Sequence, residues 1–153
     1  PAGLEQELDL LSRFGLDRTG TYIFDGAGSD DHGKTTPADE TQVLAKIIAE
    51  PWGAAFHHGL AILGIDGTQA TNGVGTPAAG HIFIKDGARV SPTPGGHQAV
   101  LLAKTQVGYI DTKSGRQLVF AIFINNVPYA KFEDFVAADA DVSKIAAAIQ
   151  GAY

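Results

Sequence analysis

Leu4, Leu8 and Leu11 recur at helical spacing between acidic residues, and Gly15 stands where a helix stop is favoured, so residues 3–14 are predicted as an amphipathic helix. Such a helix needs a larger body to pack on. Tyr22-Ile23-Phe24 is a short strand candidate, followed by a polar, glycine-rich loop from Asp25 to Thr35. A second helix is predicted to begin with Thr36 as N-cap, Pro37 at N1 and Asp39 near N3. It carries Val43, Leu44, Ile47 and Ile48 on one face and stops at Pro51. Trp52 to Leu60 reads as one further short helix, leading into Ala61–Ile65 and a turn at Asp66-Gly67.

The second half changes period. Gln69 to Gly80 reads as loop, Ile82-Phe83-Ile84 as a strand, Ser91 to Gly96 as a Pro/Gly loop, and Ala99–Ile110 and Gln117–Asn125 as two long strands. Thr112-Lys113-Ser114-Gly115 suits the hairpin turn between them. The run Leu118 to Ile124 has no polar alternation, which predicts a strand covered on both faces. Asp141 is the predicted N-cap of a last helix with Val142, Ile145, Ala146 and Ile149 as its apolar stripe and Gly151 past its end. The fold class is therefore α/β in the broad α+β sense: an antiparallel sheet with helices from both termini packed on it. The chain shows no internal repeat.

At 153 residues, with 44% hydrophobic and 18% charged positions, the chain can bury one ordinary core, so a single domain or a segment of one is expected over 1–153. The net charge of −6 offers no basic field for nucleic acid. Cysteine is absent, which removes disulfides, thiol nucleophiles and Cys-bound zinc. No run of about 18 apolar residues could span a membrane. The chain begins at Pro1 and contains no Met, so it is expected to be a processed product or a fragment of something longer.

Gly28-Ser29-Asp30-Asp31-His32-Gly33-Lys34-Thr35 satisfies the spacing of a phosphate-binding loop, and Ala61 to Asp66 imitates the strand that ends in a metal-binding Asp. Asp30 and Asp31, however, put two negative charges where backbone amides must cradle phosphates, and Pro37 starts the helix after Lys34-Thr35 rather than at it. The alternative is a solvated, Asx-rich surface loop. His57-His58 is a local histidine pair whose side chains diverge by about 100 degrees on a helix, a poor metal geometry. One buried and one exposed imidazole is expected instead, with His32, His81 and His97 scattered. No metal and no cofactor is expected.

Three stretches together carry a resemblance: Leu60 to Thr68 (LAILGIDGT), Gly80 to Ala88 (GHIFIKDGA) and Gly108 to Asn126 (GYIDTKSGRQLVFAIFINN). Their order and spacing resemble the C-terminal part of the S13-type, penicillin-recognising D-Ala-D-Ala carboxypeptidases. In that family a buried Asp-Gly-Thr turn precedes a strand ending in Lys-Thr-Gly-Thr, and a long hairpin closes the sheet. Asp66, Gly67 and Thr68 match the turn, with a structural role as the simpler reading. Lys85, Asp86, Gly87 and Ala88 stand at the strand motif.

The resemblance implies that Lys85 is the catalytic lysine of that strand and that Lys85, Asp86, Gly87 and Ala88 form the subsite for a substrate carboxylate. Asp86 departs from the pattern, since an acceptor-only carboxylate replaces a hydroxyl donor, and Ala88 loses a second hydroxyl. Lys104-Thr105 repeats the Lys-Thr pair inside the next strand without the Gly and reads as ordinary sequence. The family's nucleophile, Ser-x-x-Lys, and its Ser-x-Asn do not occur here: Ser12, Ser29, Ser91, Ser114 and Ser143 all lack Lys three residues on.

The resemblance thus implies a segment of a cell-envelope serine peptidase, periplasmic or secreted, acting on peptidoglycan stem peptides, with the nucleophile on a missing N-terminal part. The alternatives are a non-catalytic relative serving as a binding or assembly module and, further off, a nucleotide-binding protein that would bind Mg-nucleotide at Lys34. A half-domain exposes an apolar sheet face, so a complementary N-terminal chain or self-association is expected.

Overall fold

The computed structural model of the chain describes residues 2–16, 18–92, 95 and 98–153. Helices α1 (Ala2–Arg13), α2 (Pro37–Ile47) and α3 (Gly53–His58) precede strands β1 (Ala61–Ile62), β2 (Ile82–Pro92), β3 (Ala99–Asp111) and β4 (Gln117–Tyr129), and α4 (Phe132–Ala152) closes the chain. The four strands form one antiparallel sheet in the order β1-β2-β3-β4. Both α1 and α2 obey the cues read above. Gly15 adopts φ 71 behind α1, and the Thr36 hydroxyl accepts from the Asp39 amide at 3.1 Å.

Strand alternation sends successive residues to opposite faces, and each face has its own helical cover. Ile82, Ile84, Ile110 and Phe120 are buried with Ala146 of α4, and Leu118 and Ile122 pack alongside. On the other face Phe83, Val107 and Val119 pack against Tyr109, Leu44 of α2 with its C-cap Ile48, and Phe56 of α3. The Tyr109 hydroxyl donates to the Leu44 carbonyl at 2.9 Å, so the ring buries its apolar body without stranding its polar tip. Each wholly buried isoleucine contributes about 2 kcal/mol by removal from water. The run Leu118 to Ile124 is thus covered on both faces, although as the outer strand it stays mostly half-buried.

Several elements depart from the sequence reading. Tyr22–Phe24 is no strand, since only Tyr22 pairs, in an isolated bridge with Lys34. Strand β2 does not stop at Ile84 but runs through polar residues to Pro92, held by pairing along β3 rather than by burial. Ser91 and Pro92 of the expected loop therefore belong to the strand, whereas Thr93, Pro94, Gly96 and His97 lie outside the described residues. Asp141 is not an N-cap: α4 begins nine residues earlier, where the Asp134 carboxylate accepts from the amides of Ala130 and Lys131 at 3.3 and 3.2 Å, and it runs through Gly151. Phe132 and Val136 in that first stretch are exposed.

Candidate ligand cleft

Register decides which side chains share the site. The cross-strand rows are Lys85–Val107–Ala121, Asp86–Gln106–Ile122 and Gly87–Thr105–Phe123. Residues directly opposite one another lie on the same face. Lys85, Gly87, Thr105 and Phe123 therefore share the α2 face, and Asp86, Lys104 and Gln106 the α4 face. The four motif positions are split by this alternation: Lys85 and Gly87 face one way, Asp86 and Ala88 the other.

The α2 face beyond the Tyr109 cluster forms the floor of a cleft of about 820 Å³. Lys85, Gly87, Arg89 and Thr105 lie on the floor, and Thr21, Thr35, Asp39 and Glu40 line the wall. The loop from Tyr22 to Lys34 forms its rim, tied to the floor by the contact of Asp31 with Arg89. The Thr21 hydroxyl donates to Asp39 Oδ2 at 2.7 Å. Burial pushes the Glu40 carboxyl above its ordinary value, opposed by a bond from Thr35. No serine is among the residues lining this cleft.

Strand β2 also has an open edge here, because β1 covers only Phe83 and Ile84. In an antiparallel ladder alternate residues bond to alternate sides. The Asp111 amide donates to the His81 carbonyl and the Leu63 amide to the Ile82 carbonyl, so even-numbered residues of β2 bond away from β3. Asp86 and Ala88 consequently direct their backbone groups to the open edge. The Lys85 ammonium caps one of them, donating to the Asp86 carbonyl at 2.7 Å.

The Asp86 side chain is engaged beneath α4. Its carboxylate accepts from Gln69 Nε2 at 2.7 Å and lies 3.6 Å from Lys104 Nζ, which is itself 2.6 Å from Asp139 Oδ1. Asn72 Nδ2 donates to Asp139 Oδ2 at 2.7 Å, and Gln106 Nε2 to Ser143 Oγ at 2.9 Å. Burial alone raises the Asp139 carboxyl, but the bonds from Lys104 and Asn72 outweigh it and hold the group below its ordinary value. Lys104, read above as ordinary sequence, is 4% exposed. Only a charged residue within the apolar Ala99–Ile110 stretch hinted at this, and its partners lie far off along the chain.

The Asp66 carboxylate accepts the Ile62 amide at 2.9 Å, and Gly67 has φ 60. Asp66, Gly67 and Thr68 are exposed rather than buried. In the loop that imitates a phosphate cradle, the amides of Ala27, Gly28 and Ser29 already donate to the Asp25 carboxylate, and Lys34 Nζ donates to the Asp31 carbonyl. Helix α2 starts only after Thr36. His57 packs on Phe83 with ring centroids 4.0 Å apart, and His58 is exposed. Among the described residues no three His, Cys, Asp or Glu groups gather as metal ligands.

The arrangement of helices on this sheet, with a lysine beside an open strand edge, can be set against known proteins. The model of the D-Ala-D-Ala carboxypeptidase 3 (S13) family matches residues 2–147. The chain belongs to that family. Two solved structures of penicillin binding protein 4 (dacB) from Haemophilus influenzae are similar to it, each at 21% identity over 77% of this chain. One has a TM-score of 0.63, and the other, complexed with a novel beta-lactam (CMV), 0.62. The S13 chain spans only 24% and 25% of those two proteins. No curated protein matches it. The fold class read from the sequence is thereby established, and among the described residues no helix is long and apolar enough to cross a membrane.

Proposed function

We propose that this chain is the segment of a serine D-Ala-D-Ala carboxypeptidase-like peptidase that supplies the Lys85 wall of the substrate cleft. The acyl-forming serine then comes from a complementary N-terminal part, since no serine lines the cleft here. The substrate class is the peptidoglycan stem peptide, and the place of action is the cell envelope, on the periplasmic or secreted side. One observation carries this reading: Lys85 sits on the cleft floor where the outer edge of β2 becomes free. An extended peptide can add along that edge through the backbone groups of Asp86 and Ala88, with its terminal carboxylate meeting the Lys85 ammonium.

The second reading is a non-catalytic relative that keeps the cleft for binding or assembly. The absence of a hydroxyl at both Asp86 and Ala88 favours it. In either case the outer edge of β4, unpaired among the described residues, suits a complementary chain or a second copy.

Intact mass combined with incubation in a fluorescent penicillin, on the protein as purified from its natural host, separates these readings. A larger or two-chain species that takes up the label covalently is the outcome expected of the peptidase. A lone polypeptide of this length without label removes the catalytic reading and leaves the binding module.

A further inference from the structure

We propose that Thr105 supplies the hydroxyl with which this cleft recognises a peptide's terminal carboxylate, standing in for the donor that Asp86 cannot provide. The inference rests on the Lys85-wall reading above and extends it to a residue on the neighbouring strand. Thr105 pairs directly with Gly87 and shares the cleft face with Lys85, two rows away and so next to it on that face. A long lysine side chain spans that diagonal. Gly87 is what opens the position: a Cβ there would come within 3.1 Å of Thr105 Oγ1, so any side chain would crowd the hydroxyl.

The Thr105 hydroxyl forms no hydrogen bond with another described residue, which leaves it free to donate into the cleft. Asp86, by contrast, is turned under α4 and held there by Gln69 and Lys104. Its negative charge is therefore removed from the face where a carboxylate would lie. A ligand carboxylate above Gly87 meets an ammonium and a hydroxyl on one face, two donors to one acceptor group. The Lys85 contact with the Asp86 carbonyl is the bond such a ligand must displace.

The test is titration of the protein, expressed in its natural host and purified in the form found there, with N-acetyl-D-Ala-D-Ala and with its C-terminal amide. Thr105→Val keeps the shape and removes the hydroxyl; Thr105→Ser keeps the hydroxyl. The expected result is a loss of about tenfold or more in affinity for the acid with Thr105→Val, little change for the amide, and recovery with Thr105→Ser. Full acid binding by Thr105→Val, together with its loss in Lys85→Ala, overturns the role of Thr105 and leaves the Lys85 wall standing. Binding that neither variant alters, or no binding of the acid by the unaltered protein, overturns both.

Discussion

Lys104 Nζ lies 2.6 Å from Asp139 Oδ1, joining the middle strand of the sheet to the helix that covers it. With Asp86 as second carboxylate partner, this makes a charged cluster at the centre of a face whose other rows are apolar. Removing the cation leaves two largely buried carboxylates facing each other. Lys104→Met is therefore expected to destabilise the fold by about 3 kcal/mol, most of it from uncompensated charge. Urea unfolding checks this, and Lys104→Met combined with Asp86→Asn and Asp139→Asn should recover much of the loss.

Acid should loosen the same cluster. The Asp139 carboxyl is held below its ordinary value of 3.8, so the folded state binds fewer protons than the unfolded one. Its contribution is fully present above that value and is lost as pH falls through the folded pKa. Urea midpoints compared at pH 6 and at progressively lower pH should therefore drop more for the unaltered chain than for Asp139→Asn. Parallel curves would show that Asp139 is not held low.

His57 gives a second, separate pH effect. Burial depresses its pKa below the ordinary 6.5, with Asp111 opposing and His58 assisting, and its Nε2 is buried without a partner among the described residues. The neutral ring is thus favoured by folding. Its stabilisation is present above pH 6.5 and is lost as pH falls through the folded pKa. His57→Phe keeps the contact with Phe83 and removes the stranded nitrogen. It is expected to raise stability by about 1 kcal/mol and to abolish this part of the pH slope, as thermal unfolding across that range would read.

Gly108 is the least replaceable glycine of the sheet. It has φ 153, and a Cβ there would stand 1.9 Å from the Phe83 carbonyl oxygen. Gly108→Ala must push β2 away from β3 and should cost about 3 kcal/mol or more. Circular dichroism melting is sufficient to detect it, and an unchanged melting temperature would refute the close approach.

The elements that sequence made legible are those whose signal is local. Thr36-Pro37 states the start of α2 in two residues, and the leucine spacing of α1 does the same for a face. Strand β2 beyond Ile84 was not legible because its stability comes from pairing with Ala99–Val107, a partner that no window around Lys85 contains. The start of α4 was missed because Asp139 and Asp141 interrupt its apolar spacing, and Asp141 by itself has the chemistry of an N-cap. Within the site, reading Lys85 to Ala88 as one string merged two environments that strand alternation separates. Asp86 joins Lys104, Gln69 and Asp139, while the Gly87 row brings in Thr105. Neither grouping has a spacing that could be searched for, since each is assembled by register.

The outer edge of β4 has a consequence for how the molecule behaves in company. Thirteen residues of extended backbone end the sheet on that side, with no strand beyond them among the described residues. A growing sheet accepts whichever strand arrives first, so sedimentation and aggregation of this protein should depend steeply on its concentration until that edge is capped.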